Sequence, residues 1–174
     1  IADEVAVMQV GDDAPLQQRG QVGLNHMAWR VASLDDLKDF YARIKAQGNS
    51  LSGFPAVAYH DGCAGLRELG IREQPRQLLR DLCGIQVSEL QQSEVRCGFG
   101  GTFCAKMPEI SGKMVGDKLN HALATGARIL AGGDLGCLLN IAGRAQRQGA
   151  AIEVRHIAEL LSGDLDAPAI GQGK

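Results

Sequence analysis

The sequence predicts an α/β protein: a mostly parallel sheet with flanking helices over residues 55–162, preceded by an N-terminal β-β-α segment. Three observations carry this. From residue 56 to 162, short apolar runs of strand length alternate with longer segments of helical period. Glycines and prolines stand at the junctions between them. Three cysteines, Cys63, Cys97 and Cys137, each follow a predicted strand. Strand–helix alternation of this kind gives right-handed crossovers and parallel pairing.

Residues 56–59 form the first short strand of this region. Residues 74–82 form a helix, with Pro75 at an early position where its missing N–H is tolerated. Residues 84–87 lead into the next strand. Pro108 then opens a long helix, with Glu109 in its first turn and Ile110, Met114, Leu119 and Leu123 near helical spacing. Gly126 is its expected C-cap. Residues 127–131 form a buried strand closed by Gly132 and Gly133. Asp134 is a good N-cap for a helix over about 135–147, which Gly149 stops. Residues 151–155 give a further strand and 156–161 a short last helix. The stretch 163–174 is rich in Gly, Asp and Pro and is expected to be a flexible tail.

Residues 1–53 have another rhythm. Residues 4–10 alternate as a half-exposed strand, 11–21 are a polar loop, and 23–31 are a second strand. Ser33 caps a helix that has Asp35 and Asp36 in its first turn, runs to about Gln47 and ends at Gly48. Residues 49–53 read as a linker. The expected organisation is a 1–53 fragment, a 54–162 α/β domain and a 163–174 tail.

A chain of 174 residues, 45% of them hydrophobic, is large enough for one real core. A net charge of −2 and 4% aromatics leave neither a basic patch nor stacking platforms for nucleic acid. No apolar run approaches the roughly 20 residues of a membrane span. Residues 1–10 carry acids early and no basic n-region, so no secretory leader is expected. Five cysteines without a disulfide-framework spacing fit a reducing, cytoplasmic compartment, where clustered cysteines bind metal or do redox work.

Cys63, Cys97 and Cys137 are the candidate metal ligands. They are separated by 34 and 40 positions, so only a tertiary arrangement can join them. The carboxyl ends of parallel strands converge on one crevice, which supplies that arrangement. Cys97 opens a loop in which Gly98, Gly100 and Gly101 let backbone N–H groups approach a bulky inorganic group. Cys137 lies in the first turn of a helix, whose amides favour thiolate. Asp134 and His60 are further possible ligands, and Cys104 is a spare thiol or a bystander. Cys83, between Leu82 and Gly84, reads as a small apolar core residue. His121 and His156 read as structural or solvated.

The stretches Tyr59-His60-Asp61-Gly62-Cys63 and Gly65-Leu66-Arg67-Glu68-Leu69-Gly70 resemble the cysteine-rich CCG domain. So do Cys97-Gly98-Phe99-Gly100-Gly101-Thr102-Phe103, Gly133-Asp134-Leu135-Gly136-Cys137-Leu138 and Arg155-His156-Ile157-Ala158-Glu159. That domain occurs in iron–sulfur subunits of lactate-utilisation and glycolate-oxidase complexes, and in one of the subunits of heterodisulfide reductase. The resemblance covers about 55–162. It implies a 4Fe-4S cluster, electron transfer, and the other subunits of a 2-hydroxyacid oxidation complex as partners. Any oxidoreductase activity would belong to that complex, with no catalytic residue in this chain.

The family pattern is one Cys, then Cys-Cys-Gly, then Cys-x-x-Cys or a relaxed form of it. Arg96 stands at the first cysteine of Cys-Cys-Gly, and Asp134 at the first of Cys-x-x-Cys. The family usually carries two such domains, and this chain resembles the second. Three thiolates leave Asp134 or an open iron to complete a 4Fe-4S site, or a site that has lost its cluster. Zinc on Cys63, Cys97, Cys137 and His60 or Asp134 is the competing metal; no metal at all is the third reading.

Residues 23–31 and 33–37, with His26 opening the strand, resemble the vicinal oxygen chelate proteins, which include extradiol dioxygenases and glyoxalases. There such a His ligates metal. The later His and Glu of that site do not follow, so a fragment or chimera is expected, with exposed strand edges that favour a homo-oligomer. The functional reading is an iron–sulfur electron-transfer domain of a lactate or glycolate oxidation complex. The alternatives are a chimeric α/β protein without native activity and a non-haem dioxygenase- or glyoxalase-like fragment.

Overall fold

The computed structural model describes residues 56–163 and 165–172. The N-terminal strand–helix reading, its linker and His26 lie outside the described residues. Among the described residues four parallel strands form one sheet: β1 (Val57–His60), β2 (Val87–Glu89), β3 (Ile129–Gly132) and β4 (Glu153–His156), in the order β2-β1-β3-β4. All eight residues of β1 and β3 are buried, the pattern of central strands covered on both faces. The predicted α/β class, a parallel sheet with flanking helices, is what forms.

The helices are α1 (Glu73–Cys83), α2 (Phe103–Lys106), α3 (Pro108–Leu123), α4 (Leu135–Gln148) and α5 (Ile157–Ser162), with a π-helical turn at Ala64–Glu68. Side chains alternate across each strand, and this splits the core in two. Val57, Tyr59, Ile129 and Ala131 pack with Leu79 and Cys83 of α1 and Leu160 of α5. On the other face, Ala58, Leu130 and Val154 pack with Val115, Leu119 and Ala122 of α3 and Leu138, Ile141 and Ala142 of α4. Cys83 is thus a core residue, and burial raises its thiol pKa.

Local chemistry sets the ends. Asp134 accepts from the Cys137 N–H at 3.1 Å, and Gly149 closes α4 in the left-handed conformation at φ +61°. His156 caps α5: its Nδ1 accepts from the Ala158 N–H at 3.2 Å, while Glu159 accepts from the His156 N–H at 2.5 Å. The long helix differs from expectation at its end. Its C-cap is Ala124, and Gly126 takes the left-handed turn two residues later, donating to the Leu123 carbonyl. The stretch expected to be a tail is held at several points: Ile170 N–H donates to Val154 O, and Arg155 donates to the carbonyls of Leu165 and Ala167.

The chain leaves β1 for β2 on one side, then crosses back to β3 on the other. A strand order that reverses in this way opens a crevice at the carboxyl ends of the two strands flanking the switch. Here those ends are His60 and Gly132, directly paired in register.

Candidate metal centre

His60 ends β1 on the same face as Ala58, toward α3 and α4. It is 1% exposed, and neither ring nitrogen has a hydrogen-bond partner. The thiols of Cys97 and Cys137 are also buried, and their sulfurs and a His60 ring nitrogen all lie within 4.8 Å of one another. Cys97 follows β2 at a distance, and Cys137 sits in the first turn of α4 after β3. Three separate segments therefore deliver three donors to the switch point.

Cys97 is clamped from two helices. Asn140 of α4 donates to the Cys97 carbonyl at 3.0 Å, and Ser111 of α3 donates to the Gly98 carbonyl at 2.8 Å. Gly98 has φ +80°, and a Cβ there would lie 2.8 Å from the Ser111 carbonyl oxygen. The Phe99 ring then lies over Gly136, where a Cβ would sit 2.4 Å from a ring carbon. Glycine at both places lets the loop close on α4. Gly100 and Gly101 also have positive φ; a Cβ on Gly100 would meet Phe103, whereas Gly101 faces open space.

The two buried thiols do not ionise alike. Cys97 is held well below the ordinary thiol range, first by the hydrogen bond from the Cys137 thiol, with His60 and the Phe99 N–H acting in the same sense against burial. Cys137 is pushed up, first by that same hydrogen bond, then by burial and by the charges of Cys97, Asp134 and Cys63. The two titrate as one coupled pair.

Lys118 is fully buried in α3, and its Nζ donates to the carbonyls of Gln92 and Ser93 at 3.2 Å each. Burial lowers its pKa, while Cys97, Asp61, Cys63 and Cys137 pull it back up. It is a cation within electrostatic reach of the thiols, and the sequence reading misses it. The signal is there in the helical spacing: Lys118 shares the face of Val115, Leu119 and Ala122.

Below the rim, buried Arg76 of α1 donates to both carboxylate oxygens of Asp61 at 2.9 and 2.8 Å, and to both of Glu89 at 2.6 and 2.8 Å. It also stacks over the Tyr59 ring at 5.2 Å. This fixes the carboxyl ends of β1 and β2, and with them His60.

The other sequence candidates fall outside the three-donor group. Cys63, half-buried, stands at the start of the π-helical turn, near enough for its charge to act on Cys137 and Lys118. Cys104 lies in α2, its thiol donating to the Gly101 carbonyl at 3.2 Å. Asp134 spends one oxygen capping α4, and Arg96 is exposed. Two buried thiols and an unpartnered imidazole are the donor set of a borderline or soft metal. The residues present therefore fit zinc or an iron centre.

The sequence comparisons agree with this donor chemistry. Residues 57–142 match the CCG cysteine-rich domain. The matched segment runs from β1 through most of α4, and so contains all three donors as well as Cys63. Over 134 residues the chain is 41% identical to the uncharacterized protein YkgE of Escherichia coli strain K12, covering 75% of this chain and 55% of that protein. It is 47% identical over 120 residues to lactate utilization protein A of Lysinibacillus sphaericus, covering 69% and 52%. With lactate utilization protein A of Oceanobacillus iheyensis it shares 48% over 106 residues, covering 61% and 43%. The chain thus spans about half the length of the curated relatives it matches. These matches support the cysteine-rich resemblance and lend none to the vicinal oxygen chelate or chimera reading of the N-terminal segment.

Proposed function

We propose that the CCG-matching region is the iron–sulfur electron-transfer domain of a lactate or glycolate oxidation complex, working with the complex's other subunits in the cytoplasm. The observation that carries it is the gathering of thiols at the carboxyl rim of a sheet whose residues 57–142 match the CCG domain. Cys63, Cys97 and Cys137 are the proposed cluster ligands, with Gly98, Gly100 and Gly101 giving the loop its close backbone approach. When bound, a 4Fe-4S cluster would supply one-electron transfer. The chain's own part is to exclude water around Cys97 and Cys137, to hold one of them as thiolate, and to set a buried cation, Lys118, nearby.

The five cysteines are all free. No helix among the described residues is long and apolar enough to cross a membrane. Self-association belongs to the proposal as well, and light scattering at micromolar concentration tests it; a monomeric mass removes that part. Anaerobic reconstitution with iron and sulfide tests the main reading. The expected product is brown, with roughly four iron and four sulfide per chain. Colourless, iron-free protein after reconstitution overturns it. Zinc is the second reading, favoured by one observation: the three donors already lie within 4.8 Å, a span that suits a single ion.

A further inference from the structure

We infer that His60 is a metal ligand, giving an imidazole nitrogen to the centre that Cys97 and Cys137 bind. The inference rests on the reading of the cysteine rim as a metal centre, and it adds a donor that the cysteine pattern does not contain.

Burial carries the first step. A neutral imidazole has one donor and one acceptor nitrogen. In His60 both are inaccessible and neither meets hydrogen-bond geometry; the group its ring acts on is the Cys97 thiol, itself one of the three donors. Such a group in a native core calls for an explanation, and ligation of an ion is one. The histidine at the end of β4 shows the contrast: His156 Nδ1 accepts from a backbone N–H. His121 also has an unpartnered Nδ1, yet it is not part of the three-donor group.

Geometry carries the second step. Metal–sulfur bonds of about 2.3 Å and metal–nitrogen bonds of about 2.0 Å in a tetrahedral site put donor atoms roughly 3.5–3.8 Å apart. The observed upper limit is 4.8 Å, so for a single ion the donors need close by only about 1 Å, whereas a cluster, which takes each donor on a different iron, needs them to open. Among the described residues, the other sequence candidates apart from Cys63 are less free to ligate. Asp134 is engaged at the Cys137 N–H, Cys104 at the Gly101 carbonyl, and Arg96 is an exposed cation. Cys63, three residues beyond His60, remains for the fourth position, giving a three-sulfur, one-nitrogen set. Where the family pattern has thiolates at positions 96 and 134, this chain has neither, and His60 makes up one of the two.

The electronic consequence follows from charge. A neutral imidazole in place of a thiolate makes the centre one unit less negative. That raises the reduction potential of an iron–sulfur centre, as replacing two thiolates by imidazoles does in Rieske sites.

The test uses the full chain, made with nitrogen-15 histidine, and two probes under anaerobic conditions: cobalt(II) titration, and reconstitution with ferric ion, a thiol reductant and sulfide, followed by dithionite reduction, which brings a 4Fe-4S cluster to its paramagnetic state. Pulsed electron paramagnetic resonance reads nitrogen coupled to the metal. His60→Ala, His60→Cys and His121→Ala are compared, with circular dichroism confirming that each variant folds. The expected result is histidine-nitrogen coupling that His60→Ala abolishes and His121→Ala keeps. His60→Ala should weaken cobalt binding by at least about 100-fold, more than the loss of an outer-shell partner. His60→Cys should restore binding with an all-sulfur spectrum.

Coupling in both probes upholds His60 and the iron–sulfur reading together. Coupling with cobalt while no cluster forms upholds His60 and overturns the iron–sulfur reading. A cluster that forms without nitrogen coupling overturns His60 and leaves the iron–sulfur reading standing. Neither probe binding overturns both. Should His60→Ala fail to fold, the wild-type coupling and the spectrum of His60→Cys still decide.

Discussion

Arg76 is the residue whose loss should damage this fold most for a reason other than packing. Its side chain is 4% exposed and that of its partner Asp61 is 2% exposed. Replacing Arg76 by Met keeps volume and removes charge, which strands the Asp61 carboxylate inside the protein. Breaking a buried pair in this way costs about 3–5 kcal/mol. Glu89 adds little to that figure. Its side chain is 56% exposed, and exposed pairs contribute at most about 1 kcal/mol. For a chain of this length each kcal/mol moves the melting temperature by about 2–4 °C, so Arg76→Met should melt roughly 6–20 °C early. Asp61→Asn in the same background removes the stranded charge and should recover about half of the loss. Urea unfolding of the two single variants and the double variant closes the cycle, with a coupling of about 2–3 kcal/mol expected. A loss below about 1 kcal/mol for Arg76→Met, or simple additivity in the double variant, would refute the reasoning. The same variant should also weaken metal binding, because Asp61 is the residue after His60.

Three further outcomes follow from the same geometry. Gly98→Ala should cost more than the about 1–2 kcal/mol of a left-handed residue, since its Cβ would also lie 2.8 Å from a backbone oxygen; Gly101→Ala, at φ +60° with open space, should cost only the conformational part, and urea midpoints compare the two. Asp134→Ala should lose about 1 kcal/mol of cap energy yet retain metal binding; loss of binding in the folded variant, read by cobalt titration, would make Asp134 a ligand. Glu89 has its carboxyl held below the ordinary range, first by the Arg76 hydrogen bond. Its contribution is therefore complete above a pH of about 4.3 and is lost as pH falls through the folded value. The stability gap between wild type and Glu89→Gln should be flat from neutral pH to about 5 and vanish in stronger acid.

Legibility in the sequence tracks how local the determining physics is. Asp134 as a cap and Gly149 as a stop need only their immediate neighbours, and both stand where expected. The helix Phe103–Lys106 is hidden because the glycine run before it reads as loop. Gly126 is at the expected turn but two residues past the cap, since Thr125 first accepts the last helical geometry through its bond to the Ala122 carbonyl. At the site, the convergence of Cys97 and Cys137 is readable from strand–helix order alone. His60 is named there as a possible ligand by its residue type and place at a strand end, but its closeness to Cys97 and Cys137 depends on which face β1 turns to α3 and α4, and a strand of four residues is too short to show that. Lys118 shows its burial only in the helical spacing that puts it on the face of Val115, Leu119 and Ala122; Arg76 escapes a sequence reading because a lone cation in a helix reads as solvated, and only tertiary carboxylates make its burial tolerable.

The three donors stand 37 and 40 positions apart along the chain, at residues 60, 97 and 137. In an unfolded polymer, holding such points together would mean closing two long loops, at an entropic cost that grows with their length. A metal ion at this rim therefore acts as a cross-link between β1, the segment after β2, and α4, and its binding energy is spent on the folded topology as a whole. Occupancy at 1,000 times the dissociation constant would add about 4 kcal/mol to the unfolding free energy. A chelator should accordingly lower the cooperative melting of the sheet itself, so that the melting curve reports whether the rim is filled.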